Sequence, residues 1–590
     1  MRKLIWSGVS VLLACAAGCG KREGSGGPQA ESPLPEPPLK LNIEPGKPGG
    51  RLVMAVFGEP KTFNPITANE SSSTDIIAYL FAGLTRIDLI SFEAEPALAE
   101  SWTVADDKKT WTFKLRKGLR WGDGKPLTAD DVSFTWEVIY NTNINNVVAD
   151  AFRIRGKEFT VSKLDDLTIK VVTPEIYAPF LSFFGSVPII PRHTLAGAVK
   201  QKQFESAYGI NTPSSGIVGS GPYRLKEYKA GQHVLLERNP HFMAVDRNGQ
   251  RLPYIQNVIW LTVPDHNAMA LRMLQGESDV HQFLRPDEVD RFQEEAKKGK
   301  FQVLELGTQM EPSYLWFNQN TNLNKNSGKP IVAPTKLKWF RNQKFRQAIA
   351  HAIDRDSIIK STYAGRARPN YGFLSPANSR WFNPNIPQYP FSQEKAKALL
   401  AEIGIQDRNG DGILEDADGN QIEFVLNTNT GNTVRQKIAV FLQEDLKKLG
   451  IQVIFQPLDF NVLVDKINTT YEYESALLAF GSDAIDPTTS MNMIKSSGFT
   501  HAWFPRQKEP STPWEARMDQ LMDLQVSTLE FGERKKYFDE VQQIFAEQLP
   551  MISIVAPQAY AVVNTRLANI RPTVAASQRV TWNVEELYFK

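Results

Sequence analysis

The sequence predicts an α/β protein of at least two lobes, and three observations carry that expectation. The chain has 590 residues, more than a single hydrophobic core organises, so it must divide into units that each bury their own interior. Segments alternating apolar and polar residues stand beside segments with apolar residues at helical spacing, the pattern of strands and helices in turn. Past the first twenty residues no apolar run is long enough to cross a bilayer, so the body is read as soluble.

The chain opens with "MRKLIWSGVSVLLACAAGCGKRE". Arg2 and Lys3 precede an apolar run from Leu4 to Ala17 that is too short for a membrane helix, as in an export signal. Both cysteines, Cys15 and Cys19, close this run, so neither a structural disulfide nor a cysteine nucleophile is expected in the body. "AAGC" resembles the lipobox of bacterial lipoproteins, which implies a signal peptide over residues 1–18 and an acylated Cys19 as membrane anchor. "LLAC", ending at Cys15, is the competing site; cleavage before Cys19 removes the whole apolar run. Residues 19–50 then read as the acylated cysteine and a disordered Gly/Pro/Ser-rich tether, with a reach of roughly 30 Å for some 30 residues.

In the body, "TWTFKLR" puts Trp111, Phe113 and Leu115 on one face of a strand. After the turn "GDGKP", Thr128 caps a helix that gathers Val132, Trp136, Ile139 and Tyr140 on one side. "FSQEKAKALLAEIG" reads as a further helix and "QIEFVLN" as a strand. Val434, Ile438, Phe441, Leu442 and Leu449 form a helical stripe that Gly450 ends, and Ile451, Val453 and Phe455 alternate directly afterwards.

Charge and motifs exclude several functions. With 67 Lys+Arg against 65 Asp+Glu the net charge is +2, too weak a field to recruit nucleic acid. The seven histidines show no HExxH or paired spacing for a catalytic zinc. "GDGKP" has Leu119 where a phosphate loop needs its first glycine and Pro126 where it needs Ser or Thr. "VGSGPY" lacks the glycine two before Ser220 that a nucleophile elbow requires, so it reads as a turn into a strand. No catalytic constellation is expected. Aromatic side chains do stand beside amide- and hydroxyl-rich stretches at "YLWFNQN", "NTNTGNT", "PLDFN" and "AFGSDAIDPTTSMN", the mixture a site uses to enclose an organic solute; core packing explains many such aromatics equally well.

One stretch suggests a metal. "DRNGDGILEDAD" sets Asp407, Asn409, Asp411, the Ile413 carbonyl, Glu415 and Asp418 at calcium-loop positions, with Gly412 at the turn. A structural Ca2+ there would stabilise the second half of the chain, and no other cofactor is expected. A solvated Asp-Gly turn without metal is the competing reading. With a helix before it and a strand after it, the loop lacks the second helix of a calcium sensor, so a calcium-dependent adhesin or sensor is disfavoured.

Four ordered blocks bring these readings together: "LAESWTVADDKKTWTFKLRKGLRWGDGKPLTADDVSFTWEVI", "GSGPYRLKEYKAGQHVLLERNPHF", "NQKFRQAIAHAIDRDSII" and "DAIDPTT". They resemble the family 5 extracellular solute-binding proteins, the peptide receptors of bacterial ABC importers. The resemblance implies a two-lobed, type II periplasmic-binding-protein clamshell. Lobe I would span residues 51–310 with an extra subdomain at about 95–215, lobe II residues 311–545, and residues 546–590 would return to lobe I. It also implies a monomer that binds a peptide or other small organic solute and serves a membrane permease and its ATPase. Asp483 matches the aspartate that pairs with a peptide's α-ammonium, Ala479 and Gly481 match residues whose backbone pairs with an extended ligand, and Phe460 matches a ligand-facing aromatic; Glu70 lies near a first-lobe acid. Asn427 opens one of the amide-rich stretches. "NPHFMAVDRNGQRLPYIQ" resembles a sub-group that includes sugar receptors, and for an oligosaccharide Trp316 or Trp503 would be the stacking ring.

Overall fold

A computed structural model describes residues 32–146, 148–325, 327–480 and 486–590; Cys15 and Cys19 lie outside them. Lobe I is built on an eight-stranded sheet. Its middle strand, Arg51–Val56, runs parallel to Asn257–Thr262 on one side and to Val280–Leu284 on the other. The sheet continues outward through His233–Arg238 and Tyr223–Lys229 at one end and through Val555–Asn564 and Phe301–Thr308 at the other. The middle strand is buried on both faces from Leu52 to Ala55, which explains the continuous apolar run in "LVMAV".

The subdomain is a separate antiparallel sheet of four strands, Ala99–Val104, Thr110–Leu115, Thr168–Val172 and Thr160–Asp165. Phe113 and Leu115 point inward as the alternation predicts. Against them lies an aromatic stack in which Trp136 and Phe184 sit 4.2 Å apart and Trp111 and Phe180 4.3 Å apart. Thr128 and Asp131 form the reciprocal capping box of helix Ala129–Ile139. The turn "VGSGPY" leads into strand Tyr223–Lys229. Its glycines are required by close approach, since a Cβ on Gly219 would stand 1.9 Å from the Leu80 carbonyl oxygen.

Lobe II carries a five-stranded sheet in the order Gln452–Leu458, Glu423–Asn429, Ser475–Ala479, Ser313–Phe317, Met551–Ser553. Helix Thr433–Leu449 is the crossover between the two parallel strands Glu423–Asn429 and Gln452–Leu458. It ends at Gly450 in the left-handed region, φ 98°. The chain passes from lobe I to lobe II between Thr308 and Ser313 and returns between Ser553 and Val555. The return therefore comes later than residue 546, because Met551–Ser553 still pairs with Ser313–Phe317.

The tether expectation fails over residues 32–50. Leu39 and Leu41 are buried, Leu39–Lys40 pairs in parallel with Ala244–Val245, and the Glu36 and Lys117 backbones exchange hydrogen bonds. Proline and glycine dominate the composition here, but two leucines on one face suffice to dock the segment on lobe I. Among the described residues no helix is long and apolar enough to cross a membrane.

Candidate functional site

Between the lobes lies a chamber of about 760 Å³. Lobe I supplies Phe57, Glu70, Trp260 and His266 to its wall, lobe II supplies Arg435, Phe460, Ala479 and Phe480, and the crossover supplies Gln309, Glu311 and Ser313. The C-terminal return adds Gln578 and Arg579. Apolar surface broken by a few polar groups is what encloses and orients an organic ligand. A larger, less apolar trough of about 1580 Å³ adjoins the chamber, and Asn69, Glu70 and Asn468 border both.

The lobes touch beside the chamber. Arg285 of lobe I donates from Nη1 to Thr433 Oγ1 of lobe II at 2.7 Å. Lys437 Nζ reaches Asp287 at 3.2 Å, and Lys61 Nζ reaches Asp465 at 3.7 Å. The backbones come close at Gly431, φ +79°, where a Cβ would stand 2.8 Å from the Pro264 carbonyl oxygen. The structure is thus a form in which both lobes contribute to one wall.

Burial shapes the charges of this wall. It pushes the Glu311 carboxyl up, while the Arg579 and Arg435 charges and a hydrogen bond with Gln309 act in the opposite direction. It pushes both Arg435 and Arg579 down to about 10, against the pull of Glu311, so both remain cations at neutral pH. His266 is pushed down to about 3, first by burial and then by His281, Arg285 and Arg435; its imidazole is neutral at neutral pH.

The residues expected from the sequence divide three ways. Phe460 opens helix Phe460–Asp465 and lines the chamber, Ala479 ends strand Ser475–Ala479 and lines it too, and Glu70 stands at the start of helix Ser71–Leu80 on its border. Glu70 accepts the Asn69 N–H at 3.2 Å, the Lys61 N–H at 3.4 Å and the Ser73 hydroxyl. Asp483 and Gly481 lie outside the described residues.

Asn427, Trp316 and Trp503 do not reach the chamber. Asn427 donates to the Gln456 carbonyl at 3.0 Å and ties two strands of the lobe II sheet together. Trp316 is 0% exposed with its indole N–H on the Tyr473 hydroxyl at 3.1 Å, and Trp503 is 1% exposed with its N–H on Glu515 at 3.0 Å. The sheet register turns Trp316 into the core, and the buried Glu515 carboxylate holds Trp503 away from the chamber.

The calcium-loop residues are held largely by hydrogen bonds within the loop. Asp407 accepts the Gly410 and Gly412 N–H groups at 2.7 and 3.0 Å, Asn409 the Asp411 N–H, and Asp411 the Ile413 N–H at 2.8 Å. Glu415 accepts the Arg408 N–H at 3.0 Å, and Asp418 pairs with Lys338 at 2.7 Å. Among the described residues no group of three or more His, Cys, Asp or Glu side chains converges as metal ligands.

Several wall residues escaped the sequence reading. Arg435 stands just past the flagged "NTNTGNT", and Glu311 just before the flagged "YLWFNQN". Phe480 lies within a flagged stretch, packed 5.4 Å from Trp316. Arg579 carries no local signal, because its place depends on the path of the C-terminal return.

Comparison with known proteins agrees with this architecture. Residues 93–501 match the profile of the bacterial extracellular solute-binding proteins, family 5 Middle. The oligopeptide-binding protein AppA of Bacillus subtilis is 30% identical over 539 residues, 88% of this chain and 89% of that one. The structure of AppA with a nonapeptide superposes with a TM-score of 0.78 at 26% identity, over 92% of this chain and 100% of that one. The Agrobacterium fabrum binding protein MelB with stachyose superposes with a TM-score of 0.83 at 24% identity, over 94% of this chain and 88% of that one.

Proposed function

The chain belongs to the family 5 bacterial extracellular solute-binding proteins, and from that premise we propose that it captures short peptides by closure of its two lobes and delivers them to an ABC permease. Its relatives are solute-binding proteins of ABC transporters rather than enzymes, mostly oligopeptide receptors, with oligosaccharide receptors among them. The observation that carries the peptide reading is the chamber wall beside the end of strand Ser475–Ala479, where Ala479 and Phe480 border the space between the lobes. An extended peptide laid there can pair with main-chain groups whatever its side chains, while the wall accommodates them. The trough beyond Glu70 and Asn468 gives a longer ligand an exit. Identity to the oligopeptide receptor AppA supports the same reading. Export and anchoring through acylated Cys19 complete it, since a receptor held at the membrane meets its permease at high local concentration.

Calorimetry with refolded protein, freed of carried-over ligand, tests the substrate class. Titration with a peptide pool should give heat and saturation, and a cello-oligosaccharide series should give neither. Binding of the sugars without peptides would replace the reading with an oligosaccharide receptor. For the anchor, Cys19→Ser should release the protein from the membrane fraction, and continued retention would move the acylation site to Cys15.

A further inference from the structure

The extra subdomain meets lobe II directly, away from the crossover. Its turn Ala149–Phe152 packs on helix Met491–Ile494, and the Ala178 N–H donates to the Val526 carbonyl at 2.7 Å. Phe152, Tyr177 and Phe180 of the subdomain belong to one apolar cluster with Met491, Ile494 and Val526 of lobe II. The described residues that the subdomain gives to the chamber are Val148, Ala151 and Phe183, and all three are apolar. They sit together: the Ala151 N–H donates to the Val148 carbonyl at 3.2 Å, and the Phe152 and Phe183 rings are 5.3 Å apart.

Lobe II adds Thr488, Thr489 and Asn492 to the chamber, from the turn Pro487–Ser490 and from that same helix. Each of these side chains already has a bond within lobe II. Thr488 Oγ1 donates to the Asp486 carboxylate at 2.6 Å, Thr489 Oγ1 donates to the Asp486 carbonyl at 2.8 Å, and Asn492 Oδ1 accepts the Phe499 N–H at 2.7 Å. Asp486 is in turn ion-paired with the buried Arg534 at 2.7 Å, and neither of that pair borders the chamber. The acids of the chamber wall belong to other segments. Glu70 is held by Asn69, Lys61 and Ser73, and Asp75 by Ser577 and Gln578. A ligand ammonium or carboxylate placed among the six uncharged residues would lose water without gaining an ionic partner, whereas an apolar side chain gains by leaving water there.

We propose that the extra subdomain and lobe II build, where they meet, a pocket for one apolar side chain of the ligand, with Val148 as the residue that sets the preference. The inference rests on the receptor reading above and narrows its ligand to peptides with an aliphatic or aromatic residue at one position. Half of the pocket comes from the subdomain and half from lobe II, so it is complete only while the two are in contact, and a side chain seated in it favours that contact. Phe183 bounds the pocket on the subdomain side and limits the size of the residue it takes.

The test is calorimetry on the full chain with short Ala/Ser peptides in which one position at a time carries leucine, asparagine or lysine. For wild-type protein one position should favour leucine over both others by about tenfold or more, the discrimination an apolar pocket gives. Val148→Asp should abolish that preference and bring lysine level or ahead, at that position alone. Phe183→Ala should shift the favoured residue there from leucine to tryptophan. Val148→Thr changes the volume little and serves if the aspartate variant does not fold; it should lower the leucine preference in part. A peptide set in which no position favours leucine overturns the pocket. So does a folded Val148→Asp protein that keeps the wild-type preference or weakens every peptide alike. If no peptide binds, the peptide reading fails, and the pocket is read from neutral oligosaccharides as phenyl and methyl glycosides. A phenyl preference that Val148→Asp removes upholds the pocket without the peptide reading, and equal binding of the two glycosides overturns it.

Discussion

Glu515 shows how a single side chain decides what belongs to the core and what to the site. It is 1% exposed, yet it accepts from Trp503 at 3.0 Å and from Gln507, Ser511 and Thr512, each at 2.8 Å, and faces His501 Nε2 at 3.2 Å. Burial pushes its carboxyl up, but His501 and the other donors outweigh it and hold the group at about 2. A carboxyl lowered on folding stabilises the protein at pH values above its unfolded value of 4.5 and loses that contribution as pH falls toward 2. Denaturant unfolding at neutral pH should show Glu515→Ala less stable by about 3 kcal/mol, because four donors and a histidine lose a buried partner. A loss below about 1 kcal/mol would mean that water replaces the carboxylate. At Asp483, matched to the ammonium-binding aspartate, Asp483→Asn should weaken free peptides by about 2 kcal/mol and spare N-acetylated ones. Equal loss for both would give the residue a structural role.

Elements with strong local signals were legible in the sequence. The Thr128 cap and the stripe ending at Gly450 marked two helices that fold as read, because caps and period act within a few residues. Segment 32–50 was misread, since its partner strand Ala244–Val245 lies some two hundred residues away and no local pattern announces it. Leu39→Ala should therefore lower lobe I stability by about 2 kcal/mol or more in denaturant unfolding, whereas an unchanged midpoint would restore the tether reading. The acidic loop 407–418 is expected to act as a turn, with Asp418 engaged by Lys338. Melting midpoints in millimolar calcium and in chelator should then coincide; a higher midpoint with calcium would assign the loop a metal.

For the whole molecule, the family signature gave the two lobes and part of the wall, Phe460 and Ala479, while the opposing charges of Arg435, Arg579 and Glu311 emerge only once distant segments meet. Trp316 and Trp503 were misassigned for the same reason, since an aromatic beside polar residues reads alike in a core and in a cleft. The central claim is that closure of the lobes around a peptide is the protein's act of binding. Lys437 with Asp287 and Arg285 with Thr433 close one side of the chamber, and these contacts cannot persist if the lobes separate to admit a ligand. Solution X-ray scattering of ligand-free protein titrated with a binding peptide measures this most directly. The account predicts a fall in the radius of gyration that saturates with peptide occupancy and is absent on adding neutral oligosaccharides; a radius that stays constant while calorimetry reports full occupancy would contradict it.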